Sequence, residues 1–399
     1  MKLNRHNTVW KSHRLPKCLL AVFLGASVFL SGCGPAEGSQ GAFDASSEEN
    51  GKLKVAVTLF PYYDFVRQIA GDQVDLQMVI PAGMDSHSFE PTPADIRTIQ
   101  HADVLISNGG TMEHWLEDTL GALDTSNMTI VTMMDYVDTV EEEIVEGMED
   151  AGHDHDHDHV HSHTDSDDHD HSHETPEEHA AHAQEVDDHD HSGETPEEHA
   201  AHAQETDDHD HSDYVDHDGH EETIEYDEHI WTSPVNAMKL VDVIGETLAE
   251  ADPAHAEVFR LGAENYKKEL EEIDAGFREV SRNRKRNMIV MGDKFPFRYL
   301  ADEYQLDYRA AFSGCSSDTE PSAKTIAYLI DKVKEEQIPV VYYLELSSHR
   351  VSEIIGEETG AEPLLLHSCH NVTRAQFDSG ITYAELMRQN IENLRKGID

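Results

Sequence analysis

Histidine is the residue type in this sequence that could do the most chemistry. The chain has 399 residues and 29 His, of which 19 fall within residues 153–220 together with 24 Asp+Glu and no Lys or Arg. Neutral imidazole is a good ligand for zinc, copper, nickel and cobalt, and carboxylate adds charge and oxygen donors. A 20-residue unit repeats here: DDHDHSHETPEEHAAHAQEV (167–186), DDHDHSGETPEEHAAHAQET (187–206) and a partial DDHDHSDYV. Its apolar residues are Ala and an occasional Val, so no unit has a face to stack or bury. The tract therefore reads as a disordered polyligand that collects several metal ions weakly and exchanges them quickly. The competing reading is a solvated acidic spacer. With imidazole pKa values near about 6.5, such ligands protonate in mild acid and release metal.

Outside the tract, four side chains stand where a folded site would need them. His87 lies in IPAGMDSHSFEPTPADI, just after a strand pattern, and His229 in DEHIWTSP, where the tract rejoins the fold. His367 ends the strand pattern PLLLH and Asp293 ends IVMGD. Ligands of open α/β sheets sit beyond the carboxyl ends of strands. Three imidazoles and one carboxylate suit tetrahedral Zn2+, whereas Mn2+ wants more oxygen. Glu345 and His370 are weaker candidates, and a lone His in any of these places is more often a surface residue. His101, at a helix end, and His114, which starts a helix with Trp115, read as structural, and Tyr62 and Tyr63 as packing.

The first 33 residues read as an address. Residues 1–17 carry Lys2, Arg5, Lys11, Arg14 and Lys17 and no acid; residues 18–30 are apolar, too short to span a bilayer; Leu30-Ser31-Gly32-Cys33 follows. This is the arrangement of a lipoprotein signal, with Cys33 as the lipidated residue and 34–51 as a polar tether. The expected location is the outer face of the cell membrane, lipid-anchored. Only Cys315 and Cys369 then remain, and in an oxidising compartment a disulfide is the default. A thiolate metal ligand is the alternative.

Alternating patterns supply the elements that must position these residues. Strand patterns at 53–58, 74–80, 103–108 and 128–134 alternate with helix patterns at 62–71 and 92–102, which implies a parallel sheet. From Ser233-Pro234 the pattern turns helical, with one helix at 234–250 and a long one from Asp252-Pro253 to about 283. Val258, Leu261, Leu270, Ile273, Phe277 and Val280 keep helical spacing along it. A second strand and helix alternation follows. The expected fold is α/β: two Rossmann-like lobes with central parallel sheets joined by one long helix, the site in the cleft between them. The expected divisions are 1–33 signal, 34–51 tether, 52–232 first lobe with the insertion at about 150–222, 233–284 helical linker, and 285–399 second lobe.

The stretches LFPYYDFVRQIAG, VIPAGMDSHSFEPTPADIRTIQHADVLISNG and DEHIWTSPVNAMKLV carry a resemblance. They look like the metal-binding lipoproteins of ABC transporters for zinc and manganese, the cluster A-I solute-binding family, over nearly all of residues 52–399 apart from the insertion. The resemblance implies that His87 and His229 are metal ligands, that the connecting helix is rigid and that a His-rich loop marks a zinc-importing member. The chain departs from the family in the second lobe. FRYLADEYQL places Lys294 at the usual third ligand position with Asp293 beside it, and a lysine cannot ligate while protonated. His367 matches the usual acid near the last strand.

The charge balance of 29 Lys+Arg against 81 Asp+Glu, net −52, argues against nucleic acid and for cations. The resulting expectation is a monomeric receptor that captures Zn2+ (Mn2+ is also open) and passes it to an ABC permease, the His-rich loop feeding the main site. A manganese receptor, a surface metal buffer or adhesin, and a zinc-dependent hydrolase are the alternatives. No HExxH, nucleophile elbow or P-loop supports an enzyme.

Overall fold

The computed structural model describes residues 51–148, 225–316 and 320–399. The signal segment with Cys33, nearly all of the tether and the His-rich insertion lie outside the described residues. Two four-stranded sheets are present, and both are wholly parallel. The first joins β1 (Leu53–Val57), β2 (Val74–Met78), β3 (Val104–Ser107) and β4 (Thr129–Thr132) in the order β2-β1-β3-β4. The second joins β5 (Met288–Phe295), β6 (Asp307–Ser313), β7 (Val340–Tyr343) and β8 (Glu362–Leu365) in the order β6-β5-β7-β8. The two lobes thus share one topology, as two-lobed α/β reasoning expects.

Local sequence explains the helices. In the first lobe, α1 (Phe60–Ala70) has Pro61 in its first turn, and α2 (Pro93–Gln100) starts from a reciprocal capping box between Thr92 and Asp95. A short helix, α3 (His114–Gly121), follows. Beyond the insertion, Ser233 caps α4 (Pro234–Ala251), which leads to α5 (Ala256–Asn283). Twenty-eight residues make α5 about 42 Å long. It packs on α1 and α4 at one end and reaches the second lobe at the other. Its core stripe is Phe259, Ala263, Tyr266, Leu270, Ile273, Phe277 and Val280; Val258 and Leu261 face solvent, at 49% and 56% exposure. The stripe therefore runs one position off the spacing read from sequence at its N-terminal end, because Gly262 presses against the Ile69 carbonyl and turns that face inward.

In the second lobe, α6 (Arg298–Tyr304), α7 (Ala323–Glu335), α8 (Arg350–Thr359), α9 (Arg374–Ser379) and α10 (Tyr383–Ile398) complete the fold. One continuous apolar core runs through both lobes, from Val55 and Phe65 through Trp231, Phe259 and Phe277 to Tyr383 and Leu394. A smaller core of Val290, Leu329, Val341 and Ile355 lies on the other face of the second sheet, under α7 and α8. No described helix is long and apolar enough to cross a membrane.

Polar contacts also join the lobes. The Asp64 carboxylate is fully buried; it pairs with Arg67 at 2.5 Å and accepts the Tyr383 N–H at 2.7 Å and the Tyr266 hydroxyl at 3.3 Å. The Trp231 indole N–H donates to the Ser368 carbonyl, and the Tyr383 hydroxyl donates to the Trp231 carbonyl. The two ends of the insertion are brought side by side: Glu141 bridges Tyr226 antiparallel, and the Asp227 N–H donates to the Val140 carbonyl.

Candidate metal centre

Three imidazoles meet in the cleft between the lobes. The rings of His87, His229 and His370 lie 5.8, 5.7 and 6.0 Å apart, centroid to centroid. His87 follows β2 in a short 3-10 turn, His229 ends the segment that returns from the insertion, and His370 follows β8. One local device presents all three. The side-chain oxygen two residues earlier accepts the histidine N–H: Asp85 for His87 at 3.2 Å, Asp227 for His229 at 2.8 Å, Ser368 for His370 at 3.2 Å. Such turns hold a residue out of regular structure with its backbone donor satisfied.

Further contacts orient the rings. Asp227 Oδ1 also lies 3.2 Å from His229 Nδ1, and the Ser86 hydroxyl hydrogen-bonds His370 Nε2. The His370 ring stacks on Trp231 at 5.7 Å. Across the cleft, the Asn371 amide donates to the carbonyls of Pro81 and Met84, tying the His370 loop to the His87 loop. Gly314 completes the wall: a Cβ there would stand 3.2 Å from the His229 ring and 2.9 Å from the Phe295 carbonyl, so the close approach needs glycine. Burial holds the His87 imidazole down to about 4, with its neighbour His229 adding to the effect, and burial likewise holds His370 well below the usual range. Both rings are therefore neutral, the form that ligates a metal.

Carboxylates stand near them. Donor atoms of Asp85, His87 and His370 lie within 4.8 Å of one another. Asp293 also lines the cleft, but its oxygens face backbone: Oδ1 accepts the Lys294 N–H at 3.0 Å and Oδ2 the Leu344 N–H at 3.4 Å. A register shift in β5 between Met291 and Lys294 inserts one extra residue against β6, which re-aims Asp293 and Lys294 at the cleft floor.

His367 does not join His87 and His229. It is 1% exposed inside the second lobe, its backbone exchanging hydrogen bonds with the Asn390 amide of α10. The Cys369 N–H donates to its Nδ1 at 3.0 Å, so Nδ1 carries a lone pair. Glu345, 3.5 Å away, is then a neighbour rather than an ion-pair partner, and burial holds the ring below its usual pKa and neutral. Glu345 instead accepts the Ser368 N–H at 2.8 Å and the Ser368 hydroxyl, bracing the turn that carries His370. The reversal comes at Cys369, whose φ of +60° is left-handed and uncommon outside glycine. It turns the chain so that His370, three residues after the expected ligand, faces the cleft.

The expected Cys315–Cys369 disulfide is not formed; both thiols are free. They face different surroundings. Cys369 is buried behind His370 with its sulfur toward the His367 carbonyl, while the Cys315 N–H donates to Glu142 of the insertion stem, on the Asp227 flank. His101 bonds the Arg97 carbonyl at a helix end and His114 the Thr111 carbonyl, both away from the cleft lining. Tyr62 and Tyr63 pack against Trp231 and Phe377. Sequence reasoning ranked His370 low and passed over Asp85, Ser86, Asp227, Asn371 and Gly314. The signal for two of them was legible as a repeated Asp-x-His, at 85–87 and 227–229.

Comparison with known proteins places this architecture. The zinc-binding protein AdcA of Streptococcus pyogenes serotype M18 is 30% identical over 349 residues, covering 88% of this chain and 56% of that protein. The chain thus spans little more than half the length of such relatives. The high-affinity zinc uptake system protein ZnuA of Bacillus subtilis (strain 168) is 26% identical over 379 residues, covering 94% and 97%. The crystal structure of the Zn(II)-bound ZnuA-like domain of Streptococcus pneumoniae AdcA has the same fold, with a TM-score of 0.59 at 24% identity over 88% of this chain and all of that one. Residues 55–397 match the family described as ZnuA, zinc-uptake complex component A, periplasmic, and the chain belongs to that family.

Proposed function

We propose that this protein is an extracytoplasmic receptor that captures Zn2+ in the cleft and delivers it to an ABC import permease. The observation that carries the reading is the meeting of three imidazoles, two from the first lobe and one from the second, at a site already hydrogen-bonded into shape. His87, His229 and His370 would hold the ion, with Asp85, whose donor atom lies within 4.8 Å of those of His87 and His370, to complete a tetrahedral shell; Asp293 lines the same cleft. Asp227 and Ser86 occupy one nitrogen each of His229 and His370, which leaves His229 Nε2 and His370 Nδ1 for the metal; ligating histidines are commonly oriented this way. Three nitrogens favour zinc over manganese. His367 has no place in this shell.

Cys33 would anchor the chain by its lipid, and the His-rich tract would raise the local metal concentration and feed the cleft. The kinship with zinc-binding and zinc-uptake proteins supports this role. The test is a zinc titration of the full chain against a competing chelator, beside His87→Ala and His370→Ala. One tight site above a weaker multi-ion background, lost in both variants, is the expected result. A tight site that survives both substitutions would move the function to the His-rich tract.

A further inference from the structure

The cleft is larger than a metal ion requires. Its cavity is about 360 Å3, at the lower end of the range of pockets for small organic ligands and roughly ten times the share of one water. The histidines share its lining with Lys294 and Arg350, and neither cation forms an ion pair with any described residue. Three of the four acids on the lining are engaged: Asp293 accepts two backbone N–H groups, Glu345 accepts both donors of Ser368, and Asp85 caps His87; the fourth, Glu320, is exposed and pairs with neither cation. Lys294 is half-buried on the floor of the cleft, close enough that its charge depresses the pKa of both His87 and His370. A bare ion there would add two positive charges to an ammonium that already opposes it. An anion between them satisfies both.

Resting on the zinc reading above, we propose that the cleft takes the metal together with a small carboxylate chelator, of the size of an amino acid or hydroxy acid. Its carboxylate is received by the Lys294 ammonium, its remaining donor atoms take the fourth zinc position that Asp85 fills when the acid is absent, and Arg350 stands on the same lining. The cargo is then a metal–acid complex, recognised from the histidine side by its metal and from the lysine side by its charge.

The experiment is equilibrium dialysis of the full chain with 14C-citrate or 14C-L-histidine, with no zinc and with one equivalent, for the native chain, Lys294→Met and Lys294→Arg. The expected result is zinc-dependent retention of one labelled acid per chain, at least tenfold weaker in Lys294→Met and restored in Lys294→Arg. Lys294→Met should bind zinc alone as tightly as the native chain or more tightly, which separates loss of the anion from loss of the fold. Retention of neither acid by a native chain whose tight zinc site is intact overturns the proposal. So does equal retention by Lys294→Met, which would place the acid on metal held elsewhere. A zinc titration unchanged by His87→Ala would overturn the zinc reading and this proposal together, and is read out independently of any labelled acid.

Discussion

The two lobes have the same strand order and parallel sheets, yet they bring different chemistry to the cleft: both bring imidazole and carboxylate, and the second alone brings cations. The first lobe and its returning segment supply two imidazoles, each on an Asp-x-His turn with the acid two residues earlier. The second supplies His370, reached only after a left-handed cysteine, and adds His349, the acids Asp293, Glu320 and Glu345 and two cations, Lys294 and Arg350. Topology sets where strand ends open onto the cleft; it does not set what they carry. The loops beyond β2, β5 and β8 do, and there a single extra residue or one positive φ decides which side chain faces inward.

The sharpest way to break this comparison is to ask which second-lobe histidine holds the metal. His370→Ala should weaken zinc several hundredfold, about 3.5 kcal/mol if the ligands of a structural-type site share its binding energy evenly. His367→Ala should cost zinc about tenfold or less, as loss of an indirect support does, while lowering the melting temperature through the buried hole it leaves. Competition titration with calorimetry separates the two; the reverse order would restore His367 as the ligand. Next is the joint between lobes. Asp64→Ala strips a fully buried acceptor from Arg67, Tyr266 and the Tyr383 N–H, and should destabilise the protein by about 3 kcal/mol, measured by denaturant unfolding. Loss of less than about 1 kcal/mol would mean that the apolar core alone holds the lobes.

The first lobe also contains a buried acid. Burial pushes the Glu113 carboxyl up to about 7, although Thr58 and the amides of Gly109 and Asn108 pull it down. Its folded pKa thus lies above the unfolded value of about 4.5, so the neutral form is the one that folding favours. That contribution is full below about pH 4.5 and is lost as pH rises through about 7, amounting to roughly 3 kcal/mol. Glu113→Gln should flatten the decline in stability across that window, measured without metal; an unchanged profile would place the titration elsewhere. The smallest effect expected is at the wall between lobes. Gly314→Ala should press on His229 and on the Phe295 carbonyl, weakening zinc about tenfold and lowering the melting temperature by a few degrees.

Much of the fold was legible because burial imposes periodicity. Leu53–Val57 and Val104–Ser107 are short apolar runs between turn signals, as strands covered on both faces must be, and Thr92-Pro93 with Asp95 announces a helix start by its capping chemistry. The long helix was legible by length and spacing, though its first turns were misaligned by the packing of Gly262 on Ile69. His87 and His229 were legible because their turns are written locally, within three residues. His370 was not, because nothing in HSCH distinguishes its two histidines: both follow the same strand within five residues. Which one faces the cleft depends on φ at Cys369, on Asn390 of α10 taking the His367 backbone, and on Glu345 bracing Ser368, contacts over about twenty residues of sequence. The cysteines illustrate the same limit. Compartment and number pointed to a bond, but pairing depends on distance, and the fold sets the two thiols on different flanks.

What the sequence by itself determined is therefore what local chemistry and periodicity encode: a two-lobed α/β chain, a long connecting helix, an acidic histidine repeat and two Asp-x-His turns at the cleft. The tertiary structure alone decided the third imidazole, the free thiols, the glycine against His229 and the lysine that shares the cavity lining with the histidines. Each of those depends on side chains far apart in sequence arriving at one place, and the distance between them is set by how the two sheets and α5 pack, which no local pattern records.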